Sequence, residues 1–162
     1  MTVMGIDPGS QCLGWGVVRE SSGVLSLVDC GVLRPRGADF SARLAALFTD
    51  LSTLVALHRP LEAAVEDVFT HKNMQSALKL GQARGVAVAA CAACGVPVSD
   101  YAPALVKKNL VGTGRAEKAQ VAFMIGRILG QKPSWPADAS DALAVAVCHL
   151  NIRRMNRLVK GK

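Results

Sequence analysis

The sequence predicts one α/β domain in which helices cover both faces of a mixed five-stranded sheet. Five short apolar stretches bounded by turn residues have the length of strands, and longer stretches with helical spacing separate the last two of them. The 162 residues fit a single domain. Hydrophobic residues make up 51% of the chain and aromatic residues only 4%. This composition predicts an aliphatic core, as expected where helices pack on a sheet.

The first three strands are predicted to form an antiparallel meander. Their expected ranges are residues 2–6, 14–19 and 24–33. The turn Ser21-Ser22-Gly23 joins the second strand to the third. Tight turns of this kind connect antiparallel neighbours, since parallel strands need a long crossover.

The next four elements alternate between helix and strand, which predicts parallel pairing. A helix is expected over residues 41–58, with leucines at helical spacing on one face, and it ends at Arg59-Pro60. A short apolar strand follows over residues 63–68. A long helix over residues 74–94 begins after the capping residue Asn73 and ends at Gly95, and residues 96–101 form the fifth strand.

The last third of the chain is predicted to be helical. Helices are expected over residues 102–110, 116–129 and about 138–154, and the centre of the last is apolar all round and therefore buried. Residues 1–150 are predicted to form the single domain. Residues 151–162 are basic and are expected to form a flexible tail.

The charge distribution favours a polyanionic partner. The net charge of +7 divides into −3 in residues 1–67, +7 in residues 68–137 and +3 in residues 138–162. A positive surface suits DNA or RNA, although a solvated basic surface is the alternative. The five cysteines are irregularly spaced, which favours reduced thiols and a cytoplasmic location. Neither a signal peptide nor a membrane-spanning stretch is expected.

Four carboxylates are candidate metal ligands: Asp7, Glu66, Asp138 and Asp141. The first two fall at predicted strand ends, where ligand sites of α/β sheets gather, and the other two begin the last helix. Taken singly, Asp7 could be a turn residue and Asp138 a helix cap. Glu66 is harder to explain as structural, because a carboxylate in an apolar central strand must be paired or ligated. Glu62 and Asp67 are weaker candidates.

Without cations, the negative charges of these four carboxylates would repel one another. Carboxylate oxygens suit Mg²⁺, for which Mn²⁺ can substitute. Two ions about 4 Å apart can clamp a phosphodiester, one activating water and the other stabilising the leaving oxygen. The sequence therefore predicts a two-metal nuclease site.

Basic residues follow the carboxylate of the fourth strand. Those that could contact phosphates are Lys72, Lys79, Arg84, Lys107, Lys108, Arg115 and Lys118. A solvated face is the alternative for several of them. Lys118 follows a glycine-rich turn and could stabilise charge at a scissile phosphate. Phe69, in a polar segment, could stack on an unpaired base or be buried beneath the loop.

At these residues the chain resembles the RuvC family of bacterial Holliday-junction resolvases. The matching stretches are GIDPGSQCLGWGVV, VEDVF, NMQSALKLGQARGVA, VKKNLVGTGRAEKAQV and DASDALAVAVCH. The resemblance implies an RNase H-like fold, a homodimer, Mg²⁺-dependent cleavage of four-way DNA junctions, and work alongside the RuvA and RuvB branch-migration proteins. Family acids fall on the four carboxylates above, a family phenylalanine on Phe69, and family lysines on Lys107 and Lys118. Asp67 and the basic tail depart from the family pattern.

Two other functions stay open at this point. An actin-like or sugar-kinase-like ATPase has a similar phosphate-binding hairpin but needs two such domains. A junction-binding module that does not cleave is the second, and retention of all four acids argues against it. The small-residue face of the long helix, formed by Ala77, Gly81 and Gly85, could be a subunit interface or a surface packed on the sheet, and we hypothesise that it is the interface.

Overall fold

The computed structural model describes residues 1–67 and 73–160. Within these residues, five strands form one mixed sheet in the order β3-β2-β1-β4-β5. The meander pairs antiparallel, and β4 pairs parallel to both β1 and β5, as predicted. The strands are β1 (Thr2–Asp7), β2 (Leu13–Ser21), β3 (Val24–Leu33), β4 (Glu62–Glu66) and β5 (Val98–Tyr101).

Helices cover both faces of the sheet. Two helices pack on one face with the side chains of Met4, Ile6 and Val65, and three pack on the other with Val3, Val18 and Ala64. The first pair is α1 (Phe40–His58) and α2 (Met74–Ala93); the other three are α3 (Pro103–Val111), α4 (Lys118–Leu129) and α5 (Ala137–Lys160). The alternation of buried side chains along β1 therefore supplies two cores.

The helix α5 lies unusually close to β1 and β2 because glycines face it. A Cβ atom added at Gly5 would lie 2.0 Å from the carbonyl oxygen of Ala142, and one added at Gly14 would lie 2.0 Å from that of Asp138. Real side chains essentially never approach a backbone this closely. The two glycines therefore set the short distance between the sheet and the first turns of α5, which carry Asp138 and Asp141.

We expect Gly5→Ala to destabilise the protein by about 2 kcal/mol or more, because overpacking a tight core costs about 1–3 kcal/mol. Urea unfolding monitored by circular dichroism measures the change. Ser41→Ala is the control, since Ser41 is exposed in the first turn of α1 and alanine favours the helix. Equal stability of the two variants would contradict the close approach of α5.

Several predicted boundaries are wrong, for local reasons. The strand β5 begins at Val98 and not at 96, since Pro97 has no N–H to donate. The helix α4 begins at Lys118 and not at 116, because the N–H of Glu117 bonds the Gln120 side chain as a cap. The predicted strand end at Val68 lies outside the described residues, and β4 ends at Glu66.

The predicted end of the last helix at about residue 154 is also wrong. Residues 151–160, expected to form a tail, continue α5 to Lys160, so the boundary drawn after residue 150 falls inside a helix. Asn151 bonds Asn109 at 2.9 Å, and Arg153 pairs with Glu62. The basic composition of this segment hid contacts that connect it to the domain.

The helix α1 is long and apolar enough, by length and composition, to cross a membrane. In the fold its residues Leu47, Leu51 and Val55 are buried against the sheet. One such helix is weak evidence for a membrane span, because a helix that packs in a protein core passes the same test of length and composition.

Candidate active site

The four predicted acids come together at the carboxyl edge of the sheet. Asp7 is the last residue of β1 and Glu66 the last residue of β4. These strands are parallel neighbours with Ile6 opposite Val65, so the two carboxylates end adjacent strands side by side and share a hydrogen bond. Asp138 and Asp141 lie in the first turns of α5, which packs across β1 and β2.

The two acids of α5 each have a partner from another element. Lys118, the first residue of α4, donates from Nζ to Asp141 Oδ2 at 2.5 Å. Cys12, just before β2, donates from Sγ to Asp138 Oδ2 at 3.1 Å. Burial, followed by the hydrogen bond to Asp138, raises the pKa of the Cys12 thiol. The thiol therefore keeps its proton and remains a donor to the carboxylate.

Burial and the crowding of like charges raise the pKa values of Asp7 and Glu66. Burial, and then the charges of Glu66 and Asp141, raise the pKa of Asp7 to about 8. Burial and the charge of Asp141 also raise the pKa of Glu66. The hydrogen bond to Asp141 raises the pKa of Lys118. For a lysine a raised pKa favours the charged form, so Lys118 stays cationic. The site thus holds more negative charge than one lysine compensates.

This charge imbalance fits a divalent cation. The oxygen donors of Asp7, Glu66, Asp138 and Asp141 are the hard ligands that Mg²⁺ takes. In residues 1–67 and 73–160, no three carboxylate, imidazole or thiol groups are arranged so that they could hold a metal ion as they stand. Asp141 and Asp138 instead contact Lys118 and Cys12. Asp7, Glu66, Asp138 and Asp141 are the residues that would hold such a cation.

Without divalent cations, we expect stability to fall as the pH rises from about 4 towards 8. The pKa of Asp7 is raised in the folded state, so folded protein holds a proton that unfolded protein releases in this range. Since one unit of pKa shift corresponds to about 1.4 kcal/mol, the loss over this range should be on the order of several kcal/mol.

Urea unfolding of the metal-free protein at pH 5 and pH 9 measures this loss. Asp7→Asn should flatten the dependence, and Asp50→Asn, on the exposed side of α1, should not. A wild-type stability that rose over this range would contradict the crowded carboxylate pair.

The predicted basic residues separate into three groups. Lys107 and Lys118 line a cleft of about 150 Å³ together with Glu66 and Asp141, so both lie beside the acids. Arg84 pairs with Asp67 and Asp100 at the ends of β4 and β5, which gives it a structural contact. Lys108 and Arg115 are exposed. The predicted DNA contacts Phe69 and Lys72 lie outside the described residues.

The weaker candidate Glu62 belongs to another network. It begins β4, where its carboxylate contacts His149 Nε2 at 2.7 Å and pairs with Arg153. The other ring nitrogen of His149 bonds the Tyr101 hydroxyl at 2.8 Å. Glu62 therefore connects α5 to the sheet at the opposite end from Glu66.

Sequence reasoning missed Cys12 and Arg34. Arg34 follows β3, whose last residue Leu33 pairs with Leu13, the residue after Cys12. Its charge is near enough to oppose the rise in the Cys12 pKa. The signal available was the antiparallel register of the meander, which places the start of β2 beside the end of β3.

The comparisons with known proteins identify the family of the chain. The family model described as "Crossover junction endodeoxyribonuclease RuvC" matches residues 3–149. The chain is 65% identical over 158 residues to the protein of that name from Nitratidesulfovibrio vulgaris, covering 98% of this chain and 95% of the relative. It is 62% identical over 161 residues to that from Oleidesulfovibrio alaskensis, covering 99% and 97%.

Solved structures show the same fold. Thermus thermophilus RuvC in complex with Holliday junction substrate superposes with a TM-score of 0.88 at 35% identity, covering 96% of each chain. The yeast mitochondrial Holliday junction resolvase Ydc2 shares the fold with a TM-score of 0.70 at 12% identity, covering 98% of this chain and 83% of Ydc2. The site at the carboxyl edge of an RNase H-like sheet, together with these matches, shows that the chain belongs to the RuvC family of crossover junction endodeoxyribonucleases.

Proposed function

We propose that this protein resolves four-way DNA junctions by two symmetric, Mg²⁺-dependent nicks, in homologous recombination and DNA repair. The observation that carries the proposal is the meeting of four acids and a lysine at one edge of the sheet. This arrangement occurs in a chain 65% identical to a crossover junction endodeoxyribonuclease. The solved junction complex of Thermus thermophilus RuvC supports the same substrate.

The acids are the residues that would hold two Mg²⁺ ions, with Mn²⁺ as a substitute. When bound, these ions supply Lewis-acid activation of water and stabilisation of the leaving oxygen. Asp7 and Glu66 present their oxygens from rigid strand ends, and Asp138 and Asp141 from the first turns of α5. Lys118 Nζ donates to Asp141, where its positive charge would stabilise charge on the scissile phosphate. Lys107 lines the same cleft, where it would contact the DNA backbone.

A homodimer follows from the need for two symmetric nicks, since a two-fold axis supplies two equivalent sites. The outer face of α2 supports this assembly. Met74 is 82% exposed and Leu78 64% exposed, and added Cβ atoms at Gly81 and Gly85 would meet nothing. An apolar stripe with small residues at its centre, not packed on the sheet, suits close helix contact with a second copy.

We expect Leu78→Glu to shift the protein from dimer to monomer, because it places a charge in an apolar interface. Sedimentation velocity at micromolar concentration measures the change. Val24→Glu is a matched control, since Val24 is 68% exposed at the β3 turn, away from α2. A Leu78→Glu protein that remained dimeric would place the interface elsewhere.

The remaining partners and the location also belong to this proposal. Work beside RuvA and RuvB follows from family membership, and a cytoplasmic location suits a DNA repair enzyme whose cysteines are reduced. Hydrolysis of the phosphodiester should leave 5′-phosphate and 3′-hydroxyl ends that a ligase can seal.

The proposal is tested with a synthetic four-way junction labelled on each strand in turn. In Mg²⁺ we expect nicks at symmetric positions on two opposing strands, and products that DNA ligase can seal. Matched linear duplexes built from the same arms should stay intact. Equal cutting of the duplexes would make the protein a general nuclease, and binding without nicking would make it a junction-binding module.

A further inference from the structure

The carboxyl edge of the sheet holds positive charge on both sides of the acids. In the order β3-β2-β1-β4-β5, strands β3, β1, β4 and β5 all run in the same direction. Their carboxyl ends therefore lie at one edge of the sheet. Asp7 and Glu66 end the inner strands. Lys107 comes from the helix after β5, and Arg34 immediately follows β3 on the other side.

The segment after β3 is rich in arginine. Residues 34–43 contain three arginines and one aspartate. That aspartate, Asp39, accepts the backbone N–H of Ala42 at 2.7 Å and caps α1. Arg34 and Arg36 are exposed. This segment has no part in the carboxylate cluster, and its charge is left on the surface beside the cluster.

Two cations converge over one aromatic ring in this segment. The guanidinium carbon of Arg43 lies 5.5 Å from the centre of the Phe40 ring, and Nζ of Lys79 lies 5.8 Å from it. The two come from different helices, α1 and α2. Within residues 1–67 and 73–160, neither cation pairs with a carboxylate, so both positive charges are available to an anion.

The Arg43 side chain also has an unused hydrogen-bond donor. Its Nε atom is buried, and no acceptor for it is present in residues 1–67 and 73–160. A buried donor without an acceptor is costly. The terminal nitrogens of the half-buried Arg43 side chain, and not this buried atom, are the donors that an oxyanion at the surface would contact.

The distance across the sheet edge suits a DNA arm. Strands lie about 4.8 Å apart, so the four spacings from β3 to β5 span about 19 Å. Phosphates of one DNA strand are spaced about 3.4 Å along the helix axis. A DNA backbone held by Lys107 and Lys118 would therefore cross several phosphate spacings over the acids before it reached Arg34 on the β3 side.

We propose that Arg34, Phe40, Arg43 and Lys79 form a second phosphate-binding surface, which holds the junction arm on the side of the acids away from Lys107 and Lys118. This inference rests on the proposed function, because it takes the junction as the ligand. Arg43 and Lys79 supply the phosphate contacts, the Phe40 ring packs against both cations, and Arg34 continues the surface to the acids.

The salt dependence of junction binding tests this surface. Binding is measured by fluorescence anisotropy in EDTA, where no nicking occurs, between 50 and 300 mM salt. Each lost phosphate contact on duplex DNA should reduce the slope of log K against log salt by about 0.9. The double variant R43Q/K79Q should therefore reduce the slope by about 1.8 and weaken binding about tenfold or more at fixed salt.

The matched control is R127Q/K132Q, which removes the same charge at exposed positions of α4 and the following loop. It should leave the slope within 0.3 of the wild type. A slope change equal in both double variants, or absent from both, would overturn the proposal. If R43Q/K79Q melts early, K79Q alone serves, because Lys79 lies on the exposed side of α2. An unchanged slope in K79Q would overturn the proposal.

The outcome is separable from that of the proposed function. If the wild-type protein fails to nick the junction in Mg²⁺, the proposed enzyme activity is wrong. If the wild type nicks the junction but R43Q/K79Q leaves the salt slope unchanged, only the proposal of a second phosphate-binding surface is wrong. A purely structural role for Arg43 would lower the melting temperature and leave the slope unchanged.

Discussion

Asp7→Asn should reduce junction cleavage at least a thousandfold while junction binding in EDTA is retained. Asparagine keeps the size of the side chain but removes the charge with which a carboxylate holds a divalent cation. Asp7 ends the central strand β1 beside Glu66, so a ligand lost there affects the centre of the site. Single-turnover nicking with enzyme in excess separates the chemical step from binding.

The folding of this variant gives an independent check. Because the pKa of Asp7 is raised to about 8 by burial and by its acidic neighbours, replacing it with a neutral side chain should make the metal-free protein at least as stable at pH 9. Lost activity with gained stability distinguishes a functional carboxylate from a structural one. A nicking rate like that of Asp50→Asn would mean that Asp7 is a turn residue after all.

Lys118→Met should reduce single-turnover cleavage about a hundred- to a thousandfold, the loss found when one charge-stabilising donor is removed from an active site. Methionine preserves most of the aliphatic chain and removes only the ammonium group. The hydrogen bond to Asp141 at 2.5 Å fixes that ammonium group, and the rise in its pKa keeps it protonated.

Two variants sharpen this measurement. Lys118→Arg keeps the charge and should recover part of the rate, although the wider guanidinium fits the same place less well. Lys132→Met removes an exposed lysine of the loop between α4 and α5 and should cleave as the wild type does. Equal rates for Lys118→Met and Lys132→Met would show that the ion pair with Asp141 is structural.

Most of the sheet was predictable because local signals decide it. Turn residues between the first three strands fixed the antiparallel meander, and helical stretches between the last two fixed parallel pairing. The helix α2 begins after Asn73, whose side chain accepts the N–H groups of Gln75 and Ser76, as its residue type predicted. The antiparallel range 24–33 was also predicted correctly.

The errors arise where tertiary contacts override composition. Residues 151–160 look like a solvated tail, yet they remain helical, and Arg153 pairs with a carboxylate 91 residues away. The sequence also offered packing on the sheet as the alternative for the small-residue face of α2. Gly81 and Gly85 face outward, as the hypothesised interface requires, and Ala83 and Ala87 face the core. Small residues on every side of the helix could not specify this rotation from the sequence.

The candidate site was predictable in its acids and less so in their surroundings. Asp7 and Glu66 could be paired because parallel neighbours end at one edge. The contact of Cys12 with Asp138 spans 126 positions, and the convergence of Arg43 and Lys79 on Phe40 joins two helices. Neither follows from spacing along the chain, because both depend on how the helices pack.

The most direct test of the carboxylate site is single-turnover nicking of a four-way junction by the wild type and by Asp7→Asn, with and without Mg²⁺. We predict paired symmetric nicks by the wild type in Mg²⁺, none in EDTA, and none above a thousandth of the wild-type rate by Asp7→Asn. Wild-type nicking in EDTA, or undiminished nicking by Asp7→Asn, would contradict cleavage by metal ions held at these four carboxylates.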